Sequence, residues 1–122
     1  MILKVVPTSK LKGSIRLPAS KSYSIRAHII AGCGGKSKIL HPSKCDDALA
    51  ARVAMRALKS KSIINVNESG TTLRFLLPLA ALAGRKIKIT GKGTLKGRPN
   101  NHLVQTLKSM GVDIKGVGRG HS

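Results

Sequence analysis

Apolar residues in this chain fall into short alternating runs and longer helical stripes, which together predict strands and helices in alternation. Strands are predicted over residues 2–6, 13–17, 38–40, 62–66, 86–90 and 112–115. Helices are predicted over residues 21–31, from a cap at Asp46 or Asp47 onward, over residues 70–83 and over residues 102–110. Because no linker divides the chain, we expect one domain with an α/β or α+β layer fold.

Particular residues shape three of these helices. Ser20 stands where the N-cap of the first helix is expected. In the second helix Leu49, Val53 and Ala57 recur at every fourth position and so fall on one face. The helix over residues 70–83 is apolar nearly all round, which predicts a buried helix, and Pro78 is expected to kink it or to mark its first turn.

The composition of the chain is strongly basic. Lys and Arg number 23 against 4 Asp and Glu, which gives a formal net charge of +19 in 122 residues. Such an excess repels itself unless anionic groups are bound. Such a charge is typical of nucleic-acid-binding proteins, so a basic nucleic-acid-binding module is an alternative interpretation. Against it, the basic residues are spread along the chain and only Tyr23 and Phe75 could stack on bases. The charge also fits a basic piece of a larger chain whose remainder carries the acidic residues.

The cysteines and the hydropathy pattern narrow the class of protein. Cys33 and Cys45 form neither a disulfide framework nor a CxxC pair. With His28 and His41 they could be drawn as zinc ligands, but close ligand pairs are absent, so we expect neither a metal nor another cofactor. No apolar run approaches the roughly 20 residues of a membrane-spanning helix, and residues 1–6 are too short for a signal-peptide core. A soluble, cytoplasmic protein is predicted.

The start of the first helix carries one candidate anion site. Lys21 and Ser22 lie in its first turn, and Arg26 follows about one turn later, so the three side chains can converge. Free amides, hydroxyl groups and cations at a helix N-terminus favour a bound anion. The alternative is an ordinary capped helix with a solvated cationic face.

A second candidate lies where a predicted strand leads into the apolar helix. Gly70 would let a ligand approach the backbone, and the amides around Thr71 would point at a phosphate or carboxylate. Gly70 could equally serve only a tight turn. Further along, Lys96 and Arg98 precede Pro99 before the last helix, a pattern that is on its own typical of solvated loop charges.

Four segments resemble the enolpyruvyl transferase family, and within it the 5-enolpyruvylshikimate-3-phosphate synthases. They are PASKSYSIR at residues 18–26, the pair Asp46-Asp47, ESGTTLRFLLPLAAL at residues 68–82 and GRPNNHLVQTLKSMGV at residues 97–112. The first helix starts with a Lys-Ser run, whereas the related UDP-N-acetylglucosamine enolpyruvyl transferases have a Lys-Asn pair there. The resemblance covers most of residues 14–115 and implies the amino-terminal portion of such an enzyme.

The resemblance also implies roles for individual residues. Lys21, Ser22 and Arg26 would bind shikimate 3-phosphate, Lys21, Gly70 and Arg98 would bind phosphoenolpyruvate, and Thr71 and Arg74 would support the pocket. Glu68 stands where many family members have Asn, so it is given no role. The reaction implied is transfer of the carboxyvinyl group of phosphoenolpyruvate to the 5-hydroxyl of shikimate 3-phosphate, with release of phosphate.

The same resemblance predicts that the chain is incomplete and inactive alone. In the family the acid and base groups lie in a later domain, so no catalytic acid or base is expected here, and a complementing carboxy-terminal portion is a possible partner. The family fold consists of repeated βαβαββ units. Residues 1–12 would be a strand that joins the opposite domain, residues 13–115 one unit and much of a second in a partial substrate-binding domain, and residues 116–122 a loose end.

Overall fold

The computed structural model describes residues 1–116, which contain four α-helices, two short strands and a 3-10 helix. The helices are α1 (Lys21–Gly32), α2 (Asp46–Leu58), α3 (Gly70–Ala81) and α4 (Asn101–Ser109), the strands are β1 (Ile63–Asn65) and β2 (Lys88–Thr90), and the 3-10 helix spans Gly93–Gly97. The mixed α/β class predicted from the sequence is confirmed. None of the helices within the described residues has the length and apolar character needed to span a bilayer.

The two strands and α3 form a parallel βαβ unit. Ile64 of β1 pairs with Ile89 of β2, and the Val66 N–H extends the ladder by donating to the Thr90 carbonyl at 2.9 Å. A parallel pair requires a crossover, and α3 supplies it. The carboxyl ends of both strands therefore meet at one edge of the sheet, where a hydrogen bond from the Lys92 N–H to the Asn67 carbonyl (2.8 Å) joins the two following loops. Edges of this kind are where open α/β sheets bind ligands.

The core lies where α1, α2 and α3 pack on the strands. Its buried members are Ile25, Ile29, Ala48, Ala51, Ala54, Met55, Ile64, Val66, Leu76 and Leu95. The face of α2 in this core is therefore mostly alanine. The predicted grouping of Leu49, Val53 and Ala57 does not describe the buried face, because Val53 is 55% exposed.

The close approach of α1 and α2 depends on Gly32. A Cβ at Gly32 would lie 2.8 Å from Met55 Cβ, an atom that the backbone of α2 holds in place. We predict that Gly32→Ala lowers the free energy of unfolding by about 1–3 kcal/mol, because the helices must separate. Gly97→Ala is the matched control, since no heavy atom lies within 4 Å of a Cβ there. Urea unfolding of both variants would test this, and equal stabilities would contradict the prediction.

His28 of α1 is buried beside cationic side chains. Burial, followed by the charges of Arg52 and Arg56, lowers its pKa below the ordinary 6.5. The unfolded chain therefore binds the proton more tightly, so stability is fully present above pH 6.5 and falls as the pH drops from there toward the lower pKa of the folded state. We predict that His28→Gln reduces this loss, whereas His102→Gln, at an exposed position, retains it. Urea midpoints measured from pH 7.5 to pH 5 would show parallel curves for all three proteins if this reasoning is wrong.

Several helix boundaries follow the sequence prediction, and others do not. Ser20 caps α1 through its side chain, as predicted. The predicted cap of α2 is wrong, because the N-cap is Cys45 and both Asp46 and Asp47 lie inside the first turn, where their charges suit the helix dipole. Pro78 lies in the later part of α3 rather than its first turn, and the helix continues to Ala81.

Four of the predicted strands are not formed. Residues 2–6, 13–17, 38–40 and 112–115 have no strand assignment, and every residue from 1 to 20 is exposed. A strand needs a neighbour that satisfies its backbone hydrogen bonds, and no described segment supplies one here. The predicted loose end at residues 116–122 lies, apart from Gly116, outside the described residues.

Candidate functional site

The N-terminus of α1 brings together the first three candidate residues. Ser20 Oγ accepts the Tyr23 N–H at 3.3 Å, while the N–H groups of Lys21 and Ser22 have no acceptor within residues 1–116. Arg26 folds back over this turn, and its Nη1 donates to the Ser22 carbonyl at 3.2 Å. Two open amides and two cations thus meet at one helix end, which is a favourable place for an anion.

Both cations of this end have partners from other helices. Lys21 Nζ lies 3.1 Å from Asp47 Oδ2 in the first turn of α2, and the two side chains are 57% and 28% exposed. The Arg26 guanidinium carbon lies 5.6 Å from the ring centroid of Phe75 in α3, which is a cation–π distance. Because the ion pair is solvated, an incoming phosphate could replace Asp47 at small cost.

The N-terminus of α3 forms a second open helix end. Ser69 is fully buried, and its Oγ accepts the Thr72 N–H at 3.3 Å and donates to Thr72 Oγ1 at 2.8 Å. The backbone N–H groups of Gly70 and Thr71 have no acceptor within the described residues. The first turn of α3 therefore leaves two backbone amides without an acceptor at the end of the helix that follows β1.

Arg98 lies beside these free amides. A Cβ at Gly70 would lie 3.1 Å from Arg98 Nη1 and 3.6 Å from Arg98 Cδ, so the guanidinium packs against the glycine. The 3-10 helix before Arg98 is anchored by Leu95, which is 6% exposed and near the same glycine. Gly70 and Arg98, which the resemblance assigned to one ligand, are thus neighbours in the fold.

Arg74, one turn further along α3, stabilises the position of Arg98 through Asn100. Its Nε donates to Asn100 Oδ1 at 3.1 Å, and Asn100 Nδ2 donates to the Arg98 carbonyl at 3.1 Å. The side chain of Thr71 makes no hydrogen bond within residues 1–116. Asn100 was not among the residues predicted from the sequence, although its place two residues after Arg98 in the GRPN segment is a usable signal.

Glu68 also belongs to this end of α3. Its Oε2 accepts the N–H of Thr94 at 3.4 Å and the hydroxyl of Thr94 at 3.3 Å. Thr94 was not predicted as a site residue from the sequence, although it lies four residues before Arg98. The carboxylate that the sequence left without a role therefore has a defined partner.

Within residues 1–116, the two helix ends have no polar link between them. In the part of the chain that the structure describes, no hydrogen bond or ion pair joins Lys21 to Gly70 or Arg98, and the Arg26–Phe75 contact is what connects α1 to α3 at this point. Nor do three His, Cys, Asp or Glu side chains of these residues gather where they could hold a metal ion. The arrangement can bind and orient anionic groups.

Comparison with known proteins decides the family. The family model described as EPSP synthase (3-phosphoshikimate 1-carboxyvinyltransferase) matches residues 57–121, just over half of the chain. The chain belongs to the EPSP synthase family. The match to the EPSP synthase model includes β1, α3, β2 and α4, and with them Gly70, Arg74 and Arg98.

Curated relatives named 3-phosphoshikimate 1-carboxyvinyltransferase extend the likeness over most of the chain. The protein of Thermococcus kodakarensis is 35% identical over an alignment of 125 positions, gaps included, which covers 90% of this chain and 31% of the relative. The protein of Acetivibrio thermocellus is 36% identical over an alignment of 135 positions, which covers 93% of this chain and 32% of the relative. The protein of Methanobrevibacter smithii is 34% identical over an alignment of 145 positions, which covers 98% of this chain and 33% of the relative. The chain thus spans about one third of the length of these EPSP synthase relatives, and no solved structure matches it.

Proposed function

We propose that this chain forms the part of a 3-phosphoshikimate 1-carboxyvinyltransferase that holds the anionic groups of shikimate 3-phosphate and phosphoenolpyruvate. The observation that carries the proposal is the contact between Gly70 and Arg98 at the N-terminus of α3. Free backbone amides, a helix dipole and a guanidinium then converge on one small volume, which suits a phosphate group. Family membership supports the same ligand class.

The two helix ends have separate roles in this proposal. Lys21, Ser22 and Arg26 hold shikimate 3-phosphate at α1, and Gly70 and Arg98 hold phosphoenolpyruvate at α3. Lys21 contributes to both ligands once phosphate replaces its present partner Asp47. Thr71 and Arg74 support the pocket, and Arg74 does so through its hydrogen bond to Asn100.

Catalysis in this proposal needs groups outside the chain. The 5-hydroxyl of shikimate 3-phosphate adds to C2 of phosphoenolpyruvate while C3 is protonated, and the adduct then loses phosphate. Cations at the two helix ends hold the reactants in line and offset their charge, whereas the proton transfers require an acid and a base from the remaining two thirds of the enzyme. A complementing carboxy-terminal portion is therefore the proposed partner.

The family membership of the chain also supports a proposal for its domain organisation. Residues 13–115 form one βαβαββ unit and much of a second, and residues 1–12 form a strand that joins the opposite domain. The exposure of Ile2, Leu3, Val5 and Val6 supports the second point, because these apolar side chains have no partner within the described residues. The cytoplasmic location stays a prediction.

A phosphate-release assay tests the proposal. The chain is supplied with shikimate 3-phosphate and phosphoenolpyruvate, first alone and then mixed with the carboxy-terminal two thirds of a relative. We expect no release by the chain alone and release by the mixture. Activity of the chain alone would contradict the claim that acid and base groups lie elsewhere.

A binding measurement distinguishes the proposed function from the alternative that the chain is a nucleic-acid-binding module. Nucleic-acid binding would weaken steeply between 50 and 200 mM salt and would not distinguish shikimate 3-phosphate from other phosphates. We expect shikimate 3-phosphate to bind more tightly than inorganic phosphate at both salt concentrations. Tight, salt-sensitive binding of an oligonucleotide without that preference would favour the alternative.

A further inference from the structure

Glu68 lies beside the N-terminus of α3 and packs closely against the backbone at the start of the 3-10 helix. It directly precedes Ser69, the N-cap of α3, and its carboxylate packs on Gly93 at the start of the 3-10 helix. A Cβ at Gly93 would overlap that carboxylate, and Gly93 has φ +54°, a conformation that favours glycine. The loop after β2 therefore has the shape needed to admit the Glu68 carboxylate.

A hydroxyl group connects this carboxylate to Arg98. Arg98 Nη2 donates to Thr94 Oγ1 at 3.1 Å, and Thr94 Oγ1 donates to Glu68 Oε2 at 3.3 Å. The Thr94 hydroxyl has one proton, and giving it to Glu68 leaves its lone pairs for Arg98. The chain of donors therefore runs in one direction, from guanidinium to hydroxyl to carboxylate.

The relay holds Arg98 without neutralising it. Residues 1–116 contain one ion pair with a nitrogen–oxygen distance within 4.0 Å, and it joins Lys21 to Asp47. Glu68 therefore forms no direct ion pair with Arg98. A direct carboxylate partner would occupy the guanidinium donors that an anion needs. Within residues 1–116, Nη2 is the only guanidinium nitrogen of Arg98 that makes a hydrogen bond, while Nη1 lies against Gly70.

We propose that Glu68 is a positioning residue that acts through Thr94 to hold the Arg98 guanidinium over the N-terminus of α3. The inference rests on the proposed function, in which Arg98 binds phosphoenolpyruvate. An exposed arginine loses side-chain entropy when it binds a ligand, and a relay that restricts it beforehand lowers that cost.

Simple electrostatics predicts the opposite effect for Glu68. A carboxylate close to a bound anion repels it, so its removal should tighten binding if charge alone matters. Positioning through Thr94 predicts weaker binding after removal of Glu68, because Arg98 regains its freedom. The sign of the change therefore separates the two roles.

The experiment titrates phosphoenolpyruvate onto the full chain and four variants. Thr94→Val breaks the relay without changing charge, Thr94→Ser keeps the hydroxyl as a matched control, and Glu68→Ala is made in the wild-type and Thr94→Val backgrounds. We expect about threefold to tenfold weaker binding for Thr94→Val and for Glu68→Ala, and unchanged binding for Thr94→Ser. In the Thr94→Val background, Glu68→Ala should weaken binding less than it does in the wild-type background, because only the charge of Glu68 and its hydrogen bond to the backbone N–H of residue 94 are then lost.

A second readout does not depend on ligand binding. ¹⁵N-edited NMR spectra report how fast the Arg98 guanidinium rotates, and its signals can be assigned by their loss in Arg98→Lys. We expect slow rotation in the wild-type chain and faster rotation in Thr94→Val and Glu68→Ala. Unchanged rotation in both variants would overturn the inference, as would tighter phosphoenolpyruvate binding by Glu68→Ala in the wild-type background. If the wild-type chain binds no phosphoenolpyruvate while the rotation still responds, the proposed function fails and the relay itself stands.

Discussion

Replacement of Arg98 by alanine is expected to weaken phosphoenolpyruvate binding by about one to two orders of magnitude. Charge-assisted hydrogen bonds contribute about 1.5–3 kcal/mol each, and every 1.4 kcal/mol is about tenfold in affinity. Arg98 is exposed and outside the core, so the free energy of unfolding should change by less than about 0.5 kcal/mol. Titration calorimetry on the full chain, with urea unfolding in parallel, measures both quantities.

Two variants control for the charge of Arg98. Lys96→Ala removes an equally charged, exposed side chain two residues earlier, and it should weaken binding far less. Arg98→Lys keeps the charge but loses the planar fork of donors, so it should recover only part of the affinity. Equal losses for Arg98→Ala and Lys96→Ala would mean that net charge, rather than the contact with Gly70, attracts the ligand.

Leu76→Ala is expected to have the largest effect on stability. Leu76 is 0% exposed and belongs to the core with Ile25, Ile64 and Val66, so truncation leaves a cavity that the surrounding core residues cannot easily fill. The expected loss is about 2–5 kcal/mol. Small domains have only about 5–15 kcal/mol in total, so the variant should be partly unfolded under mild conditions.

The same substitution six residues later provides the control for Leu76. Leu82 ends α3 and is 83% exposed, so Leu82→Ala should stay within about 0.5 kcal/mol of the wild-type chain. Urea unfolding followed by circular dichroism distinguishes the two variants. A small loss at Leu76 would mean that the α3 core packs loosely in the isolated chain.

Local sequence signals were sufficient for the helix ends that carry the candidate site. Ser20 directly precedes the first helix, where a serine hydroxyl can satisfy a free amide of the first turn, and Gly70 directly precedes an apolar run of helical length. Since this interaction spans only three residues, it can be read directly from the chain. Lys21, Ser22 and Gly70 could therefore be placed at helix N-termini before the fold was known.

The face of α2 was less predictable because residue size was a poor guide. Apolar periodicity favours large side chains such as Leu49 and Val53, yet the buried contacts are made by Ala48, Ala51 and Ala54. Small residues are preferred there because α1 approaches so closely that Gly32 touches Met55. That distance is a property of two helices together, so neither segment encodes it alone.

The predicted strands also depended on partners that the local sequence does not contain. Residues 62–66 and 86–90 alternate as strands do, and each pairs with the other through Ile63–Asn65 and Lys88–Thr90. Residues 2–6 have an equally suitable composition but no described neighbour with free hydrogen-bonding groups. Strand propensity therefore predicted where pairing could occur, and the tertiary structure decided where it did.

Local patterns in the chain predicted the order of the helices, the Ser20 cap of α1, the basic character of the protein and its likeness to the enolpyruvyl transferases. Which distant residues meet follows from the fold: Lys21 with Asp47, Arg26 with Phe75, and Arg98 with Gly70. The relay from Arg98 through Thr94 to Glu68 belongs to the second group. Caps and periodicity act over one or two turns, whereas the contacts of Arg98 form because parallel strands bring two separate loops to one edge of a sheet. The partners of Lys21 and Arg26 are met because α1 packs against α2 and α3.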